Sequence, residues 1–132
     1  MSLPEEQRQT AIQLLIEKSD RNLQQAIANS DLGYWDIVAN RLYYSIFHIV
    51  TALFLKDGIQ VHTHKGTSSQ FGRHYVLSGK FTREDGILYS PLQTMREKAD
   101  YQNVFSLDEK EGKLLIAQTS SLQSKIKSVL SE

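Results

Sequence analysis

The chain has 132 residues, no cysteine, and equal numbers of basic and acidic residues, 15 of each. That length suits one domain spanning 1–132 with its own core. The missing cysteines exclude disulfides, thiolate nucleophiles and Cys-based zinc sites and fit a reducing, cytoplasmic setting, while zero net charge gives no bulk attraction to nucleic acid or membrane.

Pro4-Glu5-Glu6 opens the first predicted helix, with proline in the first turn and acids against the positive end of the helix dipole. The N-terminus is polar within a few residues, so no secretory leader is expected. Ile12, Leu15, Ile16, Leu23, Ala26 and Ile27 recur at helical spacing through about Asn29, and Asn29-Ser30-Asp31 with Gly33 ends that run. A second helix is predicted from about Tyr34 to Asp57, closed by Gly58. It is apolar nearly all round, which places it at the centre of a bundle or inside a dimer interface. Its longest apolar run, Ile46 to Leu55, is broken by His48 and Thr51 and is too short to cross a bilayer, so no membrane association is expected.

Gly58 to Thr67 reads as a loop, and Ser68 to Leu77 as a short third helix. Thr82 to Tyr101 is a fourth helical stretch, which Pro91 is expected to bend or restart because it removes a helical hydrogen bond. Ser106 and Glu109 fit a capping box for the last helix. Leu107, Leu114, Leu115, Leu122, Ile126 and Val129 lie on one side of that helix, and Gly112 weakens its start. No stretch alternates with period two. The expected fold is all-α: an antiparallel up-and-down bundle of four to five helices.

Polar residues interrupt this pattern at three places. Arg41, Tyr44 and His48 stand three and four apart, so they share one face of the most apolar helix, either as a solvent-facing stripe or as part of a groove. Arg96 and Asp100 lie one turn apart and can pair, a contact worth only about 0.3–0.5 kcal/mol if exposed. The loop supplies His62, His64, Lys65 and Gly66. His-x-His without a third ligand at a fitting spacing assigns no metal site, and His74 reads as a surface residue. No Gly-rich phosphate loop, G-x-S-x-G elbow or H-E-x-x-H helix is present, so no cofactor and no standard catalytic set is assigned.

Taken in order, N-R-L-Y-Y-S-I-F-H (40–48), H-K-G (64–66), F-G-R-H-Y-V-L-S-G (71–79) and R-E-K-A-D-Y (96–101) resemble the HEPN-domain proteins of prokaryotes. The likeness is to the small stand-alone subfamily with an R-x-x-Y-Y-x-x-F-H helix and an R-x-x-A-D-Y helix, and it covers about Trp35 to Tyr101. It implies an antiparallel helical bundle that forms a homodimer with a polar groove near the two-fold axis. It also implies association with nucleotides or RNA. Many such domains are metal-independent ribonucleases of toxin–antitoxin or defence systems, often encoded beside a small nucleotidyltransferase.

Active members carry an arginine followed, after four to six residues, by a histidine. Arg96 matches the arginine, but Tyr101, Gln102 and Asn103 stand where the histidine is expected. Metal-free RNA cleavage needs a group that moves protons near neutral pH, and unperturbed Tyr and Asp titrate near 10 and 4. The resemblance therefore implies a nucleotide- or RNA-associated binding or partner module, acting with a nucleotidyltransferase-like protein, rather than an enzyme with an assigned catalytic residue. Its groove would be formed by Arg41, Tyr44, His48, His64, Lys65, Arg96, Asp100 and Tyr101. Two alternatives stay open: a metal-independent ribonuclease that uses His48 or His64 in the missing role, and a purely structural homodimer.

Overall fold

The computed structural model describes residues 4–101 and 105–132, and it is all-α. The helices are α1 (Glu5–Asp31), α2 (Trp35–Asp57), α3 (His64–Phe71), α4 (Arg83–Tyr101) and α5 (Glu109–Leu130), with a π-helical turn over Gly72–Val76 that continues α3. Among the described residues there is no strand.

α2 is the hub. It packs against α1, α4, α5 and α3, and Val38, Leu42, Tyr43, Ile46, Ile49, Val50 and Leu53 are fully buried. Contacts at Ser19–Ser45 and Asn22–Arg41 run antiparallel between α1 and α2. The same holds for Asn40–Asp100 and Arg96–Tyr43 between α2 and α4. α5 lies parallel to α2, with Gly112 against Trp35 at one end and the Lys56 ammonium donating to the Val129 carbonyl (2.7 Å) at the other. That is the up-and-down order expected of short connections.

Over its full 23 residues α2 is long and apolar enough to cross a membrane, which the shorter Ile46–Leu55 run does not reveal. Some 61% of its most apolar stretch is buried inside the bundle, and a core helix passes the same test. The cover comes from its own chain, so the apolarity of α2 is no argument for a dimer.

Small polar residues let α1 approach closely. The Ser19 hydroxyl donates to the Ser45 carbonyl (2.7 Å) and the Ser45 hydroxyl returns a bond to the Ser19 carbonyl (3.0 Å). Gln123 of α5 joins this buried network by donating to the Ser19 hydroxyl (3.3 Å) and, at its edge, to the Asp20 carboxylate (2.6 Å). Satisfied in this way, the polar groups fix the helix register at little cost.

Two boundaries differ from the sequence expectation, and at Pro91 no fresh helix starts. α3 begins at His64, not Ser68, because Thr63 caps it by accepting from the Gly66 amide (2.8 Å). α5 is capped by Asp108, not Ser106: its carboxylate accepts from the Glu111 amide (2.7 Å) and adds negative charge at the positive helix end. α4 continues through Pro91. The amide that proline lacks would have met the Ile87 carbonyl, and both residues lie on the exposed side of the helix, where water can take that carbonyl.

Candidate functional site

Arg96 projects from α4 onto the aromatic residues of α2, with its side chain only 13% exposed. Its guanidinium carbon lies 5.0 Å from the centre of the Tyr43 ring and 5.8 Å from that of Tyr44. A cation over ring faces gains about 0.5–2 kcal/mol depending on how far it is desolvated. The Nε atom is buried with no hydrogen-bond partner among the described residues. Its acidic neighbours are loose: Asp100 at 3.6 Å and Glu97 at 3.9 Å. Arg96 is thus fixed in place by rings more than by carboxylates, and its charge is only partly offset.

Asp100 is itself held by Asn40, whose side-chain amide donates to both carboxylate oxygens (3.2 and 3.3 Å). The Asn40 carbonyl oxygen accepts from Arg41 Nε (2.9 Å), and Arg41 reaches on to Asn22 (3.2 Å) and Gln25 (3.3 Å) of α1. The Arg41 guanidinium lies 5.9 Å from the Tyr44 ring, so both arginines meet at that tyrosine.

His64 enters from the first turn of α3. That turn is tight: a Cβ at residue 66 would sit 2.9 Å from the Thr63 hydroxyl and 3.0 Å from a Val61 methyl, which explains glycine in the H-K-G triplet. The His64 ring stacks on Phe47 with centroids 4.3 Å apart and planes 4° from parallel. Its Nδ1 lies 2.5 Å from the Tyr43 hydroxyl. With Tyr43 donating, Nδ1 is the acceptor and Nε2 carries the proton, an assignment made from the hydrogen-bond network.

Burial, then the Arg96 charge, hold the His64 pKa below its ordinary value. His48 is lowered by burial and then by Lys18, Arg41 and His64. Burial pushes the Tyr43 phenol up to about 12, against the opposing pull of Arg96. Near neutral pH both imidazoles are therefore uncharged, and the fixed cations of the groove are Arg41 and Arg96.

The structure brings Arg41, Tyr44, His48, His64, Arg96 and Asp100 along one side of α2. Lys65 stands apart, exposed in the first turn of α3. The Tyr101 side chain, and Gln102 and Asn103 altogether, lie outside the described residues. His62 is exposed while His64 is half-buried, and among the described residues no three His, Asp or Glu side chains gather to hold a metal. His74 is exposed. Sequence reading missed Tyr43, Phe47 and Asn40, which join the two arginines and His64 into one network. The tyrosine doublet 43–44 was the available signal, but helical spacing assigned only Tyr44 to the polar face.

A model of the HEPN domain family matches residues 12–129. Among similar proteins, one of Methanocaldococcus jannaschii named "Putative toxin MJ0605" is 34% identical over 122 residues, 92% of this chain and 90% of that protein. A second protein of the same archaeon, also named as a toxin, is 25% identical and aligns over 80% of this chain and 71% of its own length. A "UPF0332 protein" of Thermotoga maritima is 34% identical over 74 residues, and the match spans 56% of each chain.

Proposed function

The chain belongs to the HEPN family, and from that premise we propose that it is a nucleotide- or RNA-binding module of a two-component pair of the toxin–antitoxin kind, partnered by a nucleotidyltransferase-like protein. The single observation that carries the binding role is Arg96: a nearly buried guanidinium, held on two tyrosine faces, whose acids sit at 3.6 and 3.9 Å and leave its charge partly available. Such a group is prepared for a phosphate, which it can meet through two parallel N–H donors. The toxin names of the two archaeal relatives support the pairing. Homodimer formation belongs to the same proposal and rests on the family resemblance. Light scattering at micromolar concentration tests it, twice the chain mass being expected.

The Tyr43 hydroxyl favours one further reading, ribonuclease activity with His64 in the role of the missing histidine, because it ties His64 to the ring on which Arg96 lies. Against it stands the pairing itself. Nδ1 is occupied by Tyr43, and burial, then the Arg96 charge, lower the His64 pKa, so the imidazole is a weaker base than a free one. The discriminating test is incubation with labelled single-stranded RNA in EDTA. Retention without cleavage is expected from the parent, and loss of retention from Arg96→Ala. Cleavage that His64→Ala or His48→Ala abolishes would replace the binding role with the nuclease.

A further inference from the structure

Beside the Arg96 groove, on the other side of the His64–Phe47 stack, is a hollow of about 430 Å³ between the second half of α2 and the segment leading into α3. Phe47, Phe54, Ile59 and Val61 give it apolar walls, while Gln60 and Thr63 stand at its edge. We propose that this hollow receives the base of the nucleotide whose phosphate Arg96 holds. The inference rests on the phosphate role given to Arg96 above.

Three features select a base over another apolar occupant. The volume is within the range of small-ligand pockets, about 300–1,000 Å³. Phe47 and Phe54 give the wall aromatic carbon against which the flat face of a base can pack. Gln60 and Thr63 can pair with the hydrogen-bonding edge of a base, which an aliphatic occupant would leave unmet. Continuity is the further argument. His64 lines the hollow and also bonds Tyr43, under Arg96, so one ligand can touch both ends. Along α2, Tyr44 to Thr51 covers about 10 Å at 1.5 Å per residue, a span suited to one nucleotide.

Calorimetric titration of the full chain with adenosine monophosphate, ribose 5-phosphate and adenosine tests the pocket and the phosphate site separately. Adenosine monophosphate is expected to bind at least tenfold more tightly than ribose 5-phosphate. Gln60→Trp, at an exposed position where a ring can cap the hollow without entering the core, should erase that advantage and leave ribose 5-phosphate binding unchanged. Thr51→Phe, which fills the hollow from α2, should do the same, with circular dichroism reporting its fold. Equal binding of the two phosphates by the parent overturns the base pocket and leaves the phosphate role standing. Adenosine binding that Gln60→Trp removes, without any binding of ribose 5-phosphate, sustains the pocket and sinks the phosphate role. Binding of none of the three compounds overturns both.

Discussion

The Arg96 guanidinium lies 5.0 Å from the centre of the Tyr43 ring, on a side chain that comes from a different helix. An arginine one turn before an aspartate reads in sequence as a surface ion pair. In the fold the aspartate is the weaker partner, and two rings position the cation.

Arg96→Ala and Arg96→Lys separate charge from shape. Alanine should lower affinity for a mononucleotide at least tenfold, since hydrogen bonds to charged groups contribute about 1.5–3 kcal/mol. Lysine keeps the charge but neither stacks in the same way nor offers a planar pair of donors, so it should recover only part of the loss. Both variants should keep the helical circular-dichroism signal. Full affinity in Arg96→Lys would show that the planar geometry on Tyr43 is irrelevant.

Tyr43→Phe removes the donor to His64 Nδ1 and leaves the ring under Arg96. Losing this part-buried hydrogen bond should cost about 0.5–1.5 kcal/mol in chemical denaturation. The hydroxyl stabilises the neutral imidazole, so its loss should also raise the His64 pKa toward the ordinary value. An NMR titration reads that directly. An unmoved His64 would mean that the bond does not persist in solution.

Much of the frame was legible because local signals and burial agree there. Gly58 was expected to close α2 and does so with φ +74°, a conformation glycine adopts without strain. The helical period of α1 follows from apolar spacing, whereas the all-round apolarity of α2 left bundle centre and dimer interface both open until its packing against the other helices was seen. The start of α3 was hidden because Thr63-His-Lys-Gly has no acid in its first turn and contains glycine, so propensity favoured a loop. At α5, Ser106 with Glu109 and Asp108 with Glu111 both satisfy a capping box, and sequence offers no way to rank them. The site was half legible: helical spacing groups Arg41, Tyr44 and His48. The contacts of Tyr43 with His64 and Arg96 depend on how α3 and α4 pack, which no local pattern encodes.

Gly112 illustrates the same limit and gives a stability prediction. By propensity it is a weak point in α5, and alanine there should gain about 1 kcal/mol. In the fold a Cβ would lie 2.3 Å from the Trp35 ring, which must then move. Overpacking of this kind costs about 1–3 kcal/mol. Gly112→Ala should therefore lower the urea midpoint and shift the fluorescence of Trp35, the one tryptophan. A higher midpoint would show that the start of α2 yields freely.

Acidification should weaken the fold through His48 and His64. Both have pKa values lowered in the folded chain, by burial first and then by neighbouring cations: Lys18 and Arg41 at His48, Arg96 at His64. The unfolded chain, with imidazoles near 6.5, binds protons at a higher pH than the folded one. Stability therefore rises with pH across this window: it is complete above the unfolded value and falls as pH drops toward the lowered folded values. The urea midpoint should be lower at pH 5 than at pH 7. Carboxylates also begin to titrate near the lower end, so the diagnostic quantity is the difference between parent and variant. The double variant His48→Gln, His64→Gln should show a flatter pH dependence than the parent over that interval. An equal slope in both would mean that these imidazoles are solvated well enough to titrate normally, and the half-buried, cation-flanked setting of the groove would have to be redrawn.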